Sequence, residues 1–76
     1  PAPDIFLAAA EGVGADIRRC IGIEDAAAGV AAIKASGALP IGVGKAEDLG
    51  SDIALVSGTA ELTYAYLQNV WVQSGR

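Results

Sequence analysis

The sequence predicts an α/β fold, a parallel sheet with flanking helices. Three observations lead there. Helical and strand-like stretches alternate through most of the chain. The strand-like stretches Cys20–Ile23, Leu39–Val43 and Ile53–Val56 are short apolar runs, and the first has no polar alternation, which argues burial on both faces. A small-residue helix links the first two runs, so those strands should be parallel and joined by a right-handed crossover.

Pro1-Ala2-Pro3 should be extended, because a residue before proline is pushed away from the helical region. Pro3 fits a first helical position and Asp4 suits the positive end of the helix dipole, so a helix is expected from about Pro3 to Glu11, ending near Gly12 or Gly14. Asp16 to Arg19 reads as a connector to the first strand.

The second helix should run from Ala26 to Ala35. Asp25 is placed to cap it, Lys34 sits in its last turn, and Gly37 suits the left-handed residue beyond its end. Gly29 should let this helix approach the sheet closely. Leu39–Val43 is the second strand, with Pro40 tolerable near its start. Gly44 to Ser51 reads as a loop and Ile53–Val56 as the third strand. Thr59 can cap a last helix reaching about Gln73, with Leu62, Tyr66, Val70 and Trp71 along one side.

At 76 residues the chain is one small unit, without internal repeats or low-complexity linkers. Apolar residues make up 53% of it and charged residues 18%, a rich balance for so small a domain. Much of that share is alanine. An open sheet edge is expected as well, and such an edge invites pairing with another chain or with a further part of the same protein.

The net charge of −4 and the absence of a Lys/Arg cluster argue against nucleic acid as a partner. No apolar run is long enough to span a membrane. One cysteine cannot form an internal disulfide, so a reducing, cytoplasmic setting is the default.

The candidate site is the pair Glu24-Asp25, directly after the first strand. Ligands of open α/β sheets bind beyond the carboxyl ends of the strands. Two adjacent carboxylates there suit a hard cation such as Mg²⁺, above all one that also holds a phosphate. Helix capping by Asp25 competes for the same residues. The dinucleotide fingerprint fails, because Glu47 stands where Gly42-Val43-Gly44 would need a third glycine. The P-loop fails too, since Lys45 has no glycine at the upstream spacing and no Ser/Thr after it. With no histidine in the chain, Cys20 and the serines lack an activating base; Cys20 reads as a buried structural thiol and Ser36, Ser51, Ser57 and Thr59 as cap or turn residues. Arg18, Arg19, Lys34 and Lys45 read as solvated charges, with Lys45 alone placed in a loop at a strand's carboxyl end.

The segments Pro1 to Phe6 and Cys20 to Gly29 resemble motifs three and four of the haloacid dehalogenase superfamily. Ala32 to Gly44, Glu47 to Ile53 and Leu67 to Trp71 are similar to its β-phosphoglucomutase branch, and sugar-phosphate phosphatases share much of the pattern. The resemblance implies a Rossmann-like core and Mg²⁺-dependent phosphoryl transfer from a sugar phosphate through an aspartyl-phosphate. It implies metal ligation by Asp25, with Glu24 as a second ligand or the holder of a metal-bound water. The family's Asp-x-Asp motif, which carries its nucleophile and its acid/base, does not occur in these residues, nor does the Ser/Thr of motif two. Residues 1–76 therefore resemble the carboxyl-terminal segment of such a core domain, without cap domain or amino-terminal core, and alone they are expected to be inactive. A non-catalytic, self-associating α/β module is the alternative from a different class.

Overall fold

The computed structural model describes residues 2–76; Pro1, and with it part of the extended start expected for Pro1-Ala2-Pro3, lies outside the described residues. Four helices and three strands follow in the order α1 (Asp4–Gly12), β1 (Ile21–Glu24), α2 (Ala27–Ser36), β2 (Leu39–Val43), α3 (Ala46–Leu49), β3 (Ala54–Val56) and α4 (Tyr64–Gln73). Short 3₁₀ turns at Ile17–Arg19 and Thr59–Glu61 complete the chain. The strands form one parallel sheet in the order β1-β2-β3. The expected α/β class and the parallel β1-α2-β2 unit are both present.

The register sets the layers. Glu24 lies opposite Gly42, and Val43 lies opposite Val56, so the three strands end nearly level. Alternate residues of a strand face opposite sides of the sheet. Gly22 and Glu24 therefore share the face covered by α2, where a Cβ at Gly22 would strike the Ile33 side chain. On the other face, Ile21 shares a cleft with Leu67 and Trp71 of α4, and Leu39 shares one with Val70. Ile33 on α2 and Ile41 on β2 are 0% exposed, and these two side chains centre the core.

Several local expectations change. β1 is not buried on both faces: Ile23 is 43% exposed and Ile21 only half-buried. β1 is an edge strand with a neighbour on one side only, and the side chains of α4 that line a cleft with Ile21 do not do so with Ile23. Asp25 does not cap α2. The strand runs one residue further than expected, to Glu24, and the cap position falls on Ala26, whose methyl group cannot accept a hydrogen bond. The stretch expected as a loop after β2 contains α3, whose Leu49 is buried against the sheet, with its side chain beside Gly42 and Gly44. Thr59 opens a 3₁₀ turn, and Thr63 instead caps α4 by accepting from the backbone N–H of Tyr66 at 3.1 Å.

The end of α2 is as expected. Gly37 takes φ +94°, a left-handed conformation that glycine adopts without steric cost. Ser36 is buried there; its hydroxyl donates to the Ile33 carbonyl at 2.6 Å and accepts from the Ala38 N–H at 3.2 Å. Cys20 is half-buried rather than buried, and its thiol donates to the Asp16 carbonyl at 3.3 Å. Lys34 is not a free solvated charge: its ammonium meets Asp52 Oδ2 at 2.6 Å, tying α2 to the segment before β3. No described helix is long and apolar enough to cross a membrane.

Candidate functional site

The carboxyl ends of the three strands gather the polar groups of interest. Ile23, Glu24 and Asp25 from the end of β1, Val43 from the end of β2 and Thr59 from the turn after β3 line one shallow, open depression of about 220 Å³. Glu24 closes β1 and Asp25 follows it, at the edge where open α/β sheets present ligands. Lys45 follows β2 on the same edge of the sheet, but it is exposed, does not line the depression, and sits 3.9 Å from Glu47.

The two acids play different local parts. Glu24 turns back over the start of α2: its Oε1 accepts from the N–H groups of Asp25 at 3.0 Å and Ala26 at 3.3 Å. Backbone donors just before a helix are otherwise unsatisfied, and the positive end of the helix dipole favours the carboxylate there. Gly29 makes this possible. A Cβ at that position would overlap the Glu24 side chain, so the glycine holds room for the carboxylate rather than for a close helix-to-sheet approach. No side chain caps α2; Glu24 instead binds the two backbone N–H groups that lead into it. Among the described residues no hydrogen bond or ion pair engages the Asp25 carboxylate, and it is exposed.

The donor set suits a hard cation in type but not in number. Among the described residues the Asp25 carboxylate has no partner, and Glu24 Oε2, which lies against Gly29, accepts no hydrogen bond. Among the described residues no third His, Cys, Asp or Glu joins them. Mg²⁺ commonly takes one or two carboxylates and fills the rest of its octahedron with water and phosphate oxygens, so two acids fit it without completing it.

Two contributors were not foreseen from sequence. Thr59 was read as a helix cap but lines the depression. Glu61 anchors the turn that carries Thr59, accepting at Oε2 from the Ser57 N–H at 2.8 Å, the Ser57 hydroxyl at 2.6 Å and the Gly58 N–H at 3.0 Å. These donors, the Ser57 hydroxyl first, hold the Glu61 carboxyl below its ordinary value of 4.5. The Lys34 ammonium does the same for Asp52, whose ordinary value is 3.8. Both folded values are depressed, so the stabilisation is present above the unfolded values and is lost as pH falls through the folded ones. Urea-unfolding midpoints should therefore carry no contribution to pH dependence from these groups near neutrality and should fall with acid below about pH 4.5. Glu61→Gln should flatten part of that fall; an unchanged profile would remove Glu61 from the account. Both groups are exposed, so added salt should weaken the Lys34–Asp52 share most.

A small parallel sheet covered by helices, with free carboxylate oxygen at the strand ends, is the architecture of a Rossmann-like core. The chain is 43% identical over 74 residues to the β-phosphoglucomutase of Bacillus subtilis, a match covering 96% of this chain and 32% of that protein. In fold it matches a crystal structure of β-phosphoglucomutase from Clostridium difficile, with a TM-score of 0.91 and 38% identity, over 97% of this chain and 33% of that one. No protein-family model matches the chain. The chain is therefore β-phosphoglucomutase-like in sequence and fold along nearly all its length, in keeping with its resemblance to the haloacid dehalogenase superfamily. It spans about a third of the length of each of these two proteins.

Proposed function

We propose that the chain is the carboxyl-terminal segment of the core domain of a Mg²⁺-dependent β-phosphoglucomutase. That enzyme would interconvert β-glucose 1-phosphate and glucose 6-phosphate through an aspartyl-phosphate and β-glucose 1,6-bisphosphate. The observation that carries this reading is the 43% identity across nearly the whole chain to a protein of that activity. The free Asp25 carboxylate at the end of β1 supplies a site for the cation.

In this reading each residue has a definite task. Asp25 presents an uncommitted carboxylate oxygen to Mg²⁺. Glu24 holds the bend after β1 through the Asp25 and Ala26 N–H groups, which fixes the direction in which Asp25 leaves the strand. Its second oxygen is left to take a metal-bound water. When bound, Mg²⁺ neutralises charge on phosphoryl oxygens and helps align the transfer. The aspartates that accept the phosphoryl group and move the proton are supplied from outside these residues, because no Asp-x-Asp occurs among them. The edge strand β1, with Ile23 exposed beside the acids, suits a covering by the rest of that enzyme. The free Cys20 accords with a reducing cytoplasm.

The deciding experiment follows the phosphoryl group. Full-length protein carrying this chain, given β-glucose 1-phosphate and a trace of the bisphosphate, should yield glucose 6-phosphate with little inorganic phosphate. Stoichiometric release of inorganic phosphate would make it a sugar-phosphate phosphatase of the same superfamily instead.

A further inference from the structure

The chain after α4 hooks back onto the core. Gly75 takes φ +77° and turns the chain, and the Ser74 hydroxyl accepts from the Arg76 N–H at 3.3 Å. The hook carries the Arg76 guanidinium over two other segment ends. Its Nη1 donates to the Gly37 carbonyl at 2.7 Å and to the Arg18 carbonyl at 3.3 Å. Gly37 directly follows α2, and Arg18 lies in the 3₁₀ turn before β1. A cation is favoured there, because the last carbonyls of a helix lack partners and its dipole is negative at that end.

α4 has little else to hold it. None of its residues is buried, and Leu67, Val70 and Trp71 are only half-buried. Open clefts of about 480 Å³ and 320 Å³ border it, the first shared with Ile21 of β1 and the second with Leu39 of β2. Apart from the cap at Thr63, no hydrogen bond or ion pair but those of Arg76 joins residues 64–76 to the rest of the described residues. Elements with few buried apolar contacts and exposed hydrogen bonds open at the low end of a protein's stability range.

We propose that Arg76 is a strap: its guanidinium fastens α4 to the segments leading into β1 and β2, and without it α4 undocks from the sheet as a unit while the strands stay paired. The two carbonyls it holds precede Ile21 and Leu39, the strand residues that share clefts with α4. One side chain thus governs whether those residues are covered. Hydrogen bonds from a charged donor are strong enough for this task even when they are few.

Hydrogen exchange followed by mass spectrometry on the full-length protein tests the strap. In Arg76→Ala, amides of α4 should exchange about tenfold faster, while those of β2 keep the rate of the unmodified protein. Arg76→Lys retains a cation with donors at the end of α2 and should exchange more slowly at α4 than Arg76→Ala. Unchanged exchange at α4 in Arg76→Ala would overturn the strap. Equal acceleration of α4 and β2 would overturn it too, because Arg76 would then support the whole fold and not the docking of one helix. Equal rates in Arg76→Lys and Arg76→Ala would remove the cation from the account and the proposal with it.

Discussion

Asp25→Ala in the full-length protein is expected to lower Mg²⁺-dependent turnover by on the order of 10³-fold, with the folded structure retained. The magnitude follows from what a metal at a phosphoryl centre supplies. Charge neutralisation there is worth several kcal/mol of transition-state stabilisation, and each 1.36 kcal/mol is about tenfold in rate. The structure gives a reason to expect little structural cost. Asp25 is exposed, and among the described residues its carboxylate neither caps α2 nor pairs with a cation. Its removal leaves no buried group unsatisfied, so surface-like stability effects within about 0.5 kcal/mol apply. Glu24 should behave differently. Glu24→Gln keeps an oxygen for the Asp25 and Ala26 N–H groups and should lose about 10- to 100-fold. Glu24→Ala also abandons those donors and should lose stability as well as rate. The ranking is read from kcat at saturating Mg²⁺ beside thermal unfolding of each variant. Near-normal turnover by Asp25→Ala would remove it from the cation site.

This ranking depends on a distinction that the sequence did not make visible. The position of the acids was legible, because four apolar residues followed at once by two carboxylates mark the carboxyl end of a strand. Their division of labour was not. Whether Asp25 or Glu24 serves the helix turns on where β1 ends, and a boundary shift of one residue moves the cap from Asp25 to Ala26. Gly29 reads in the sequence as room for a close helix-to-sheet approach; that the room is filled by Glu24 appears only once that side chain is seen folded over it.

Other differences have similar causes. The topology was legible because a helix between two apolar runs forces parallel pairing. Burial of β1 on both faces was not, since an apolar run says nothing about whether its strand lies at the centre or the edge of a sheet. β2, with a neighbour on each side, carries the fully buried Ile41, whereas β1, at the edge, leaves Ile23 exposed. Thr59 and Thr63 are both sound cap residues by type, four positions apart. Glu61 decides between them by drawing the first into a 3₁₀ turn after β3, which leaves Thr63 for α4.

The largest stability effect should come from Ile33, and its neighbour Gly22 makes the claim testable beyond a single number. Ile33 is 0% exposed and sits between α2 and the sheet. Ile33→Ala should cost about 2–5 kcal/mol, the lost transfer energy plus the cavity left behind. That is a large part of the 5–15 kcal/mol typical of a whole domain. Gly22 lies directly beneath it: a Cβ there would stand 2.7 Å from Ile33 Cγ2, 2.8 Å from Cγ1 and 2.9 Å from Cδ1. Gly22→Ala should therefore overpack the same interface and cost about 1–3 kcal/mol, despite the backbone entropy that alanine saves. The two errors have opposite sense, one a void and one an excess, and they occupy the same space. In Gly22→Ala/Ile33→Ala the new methyl enters the cavity, so the double variant should be more stable than the sum of the singles by about 0.5–3 kcal/mol. Denaturant unfolding of the four proteins in the cycle measures this coupling. Strict additivity would mean that Ile33 does not rest on Gly22, and the close packing of α2 on β1 would then need a different anchor. The same cycle links fold to site. α2 is held against β1 at Gly22 and begins beside Glu24, so an Ile33→Ala variant that stays folded should also raise the Mg²⁺ requirement of turnover, while Gly22→Ala/Ile33→Ala should recover part of it.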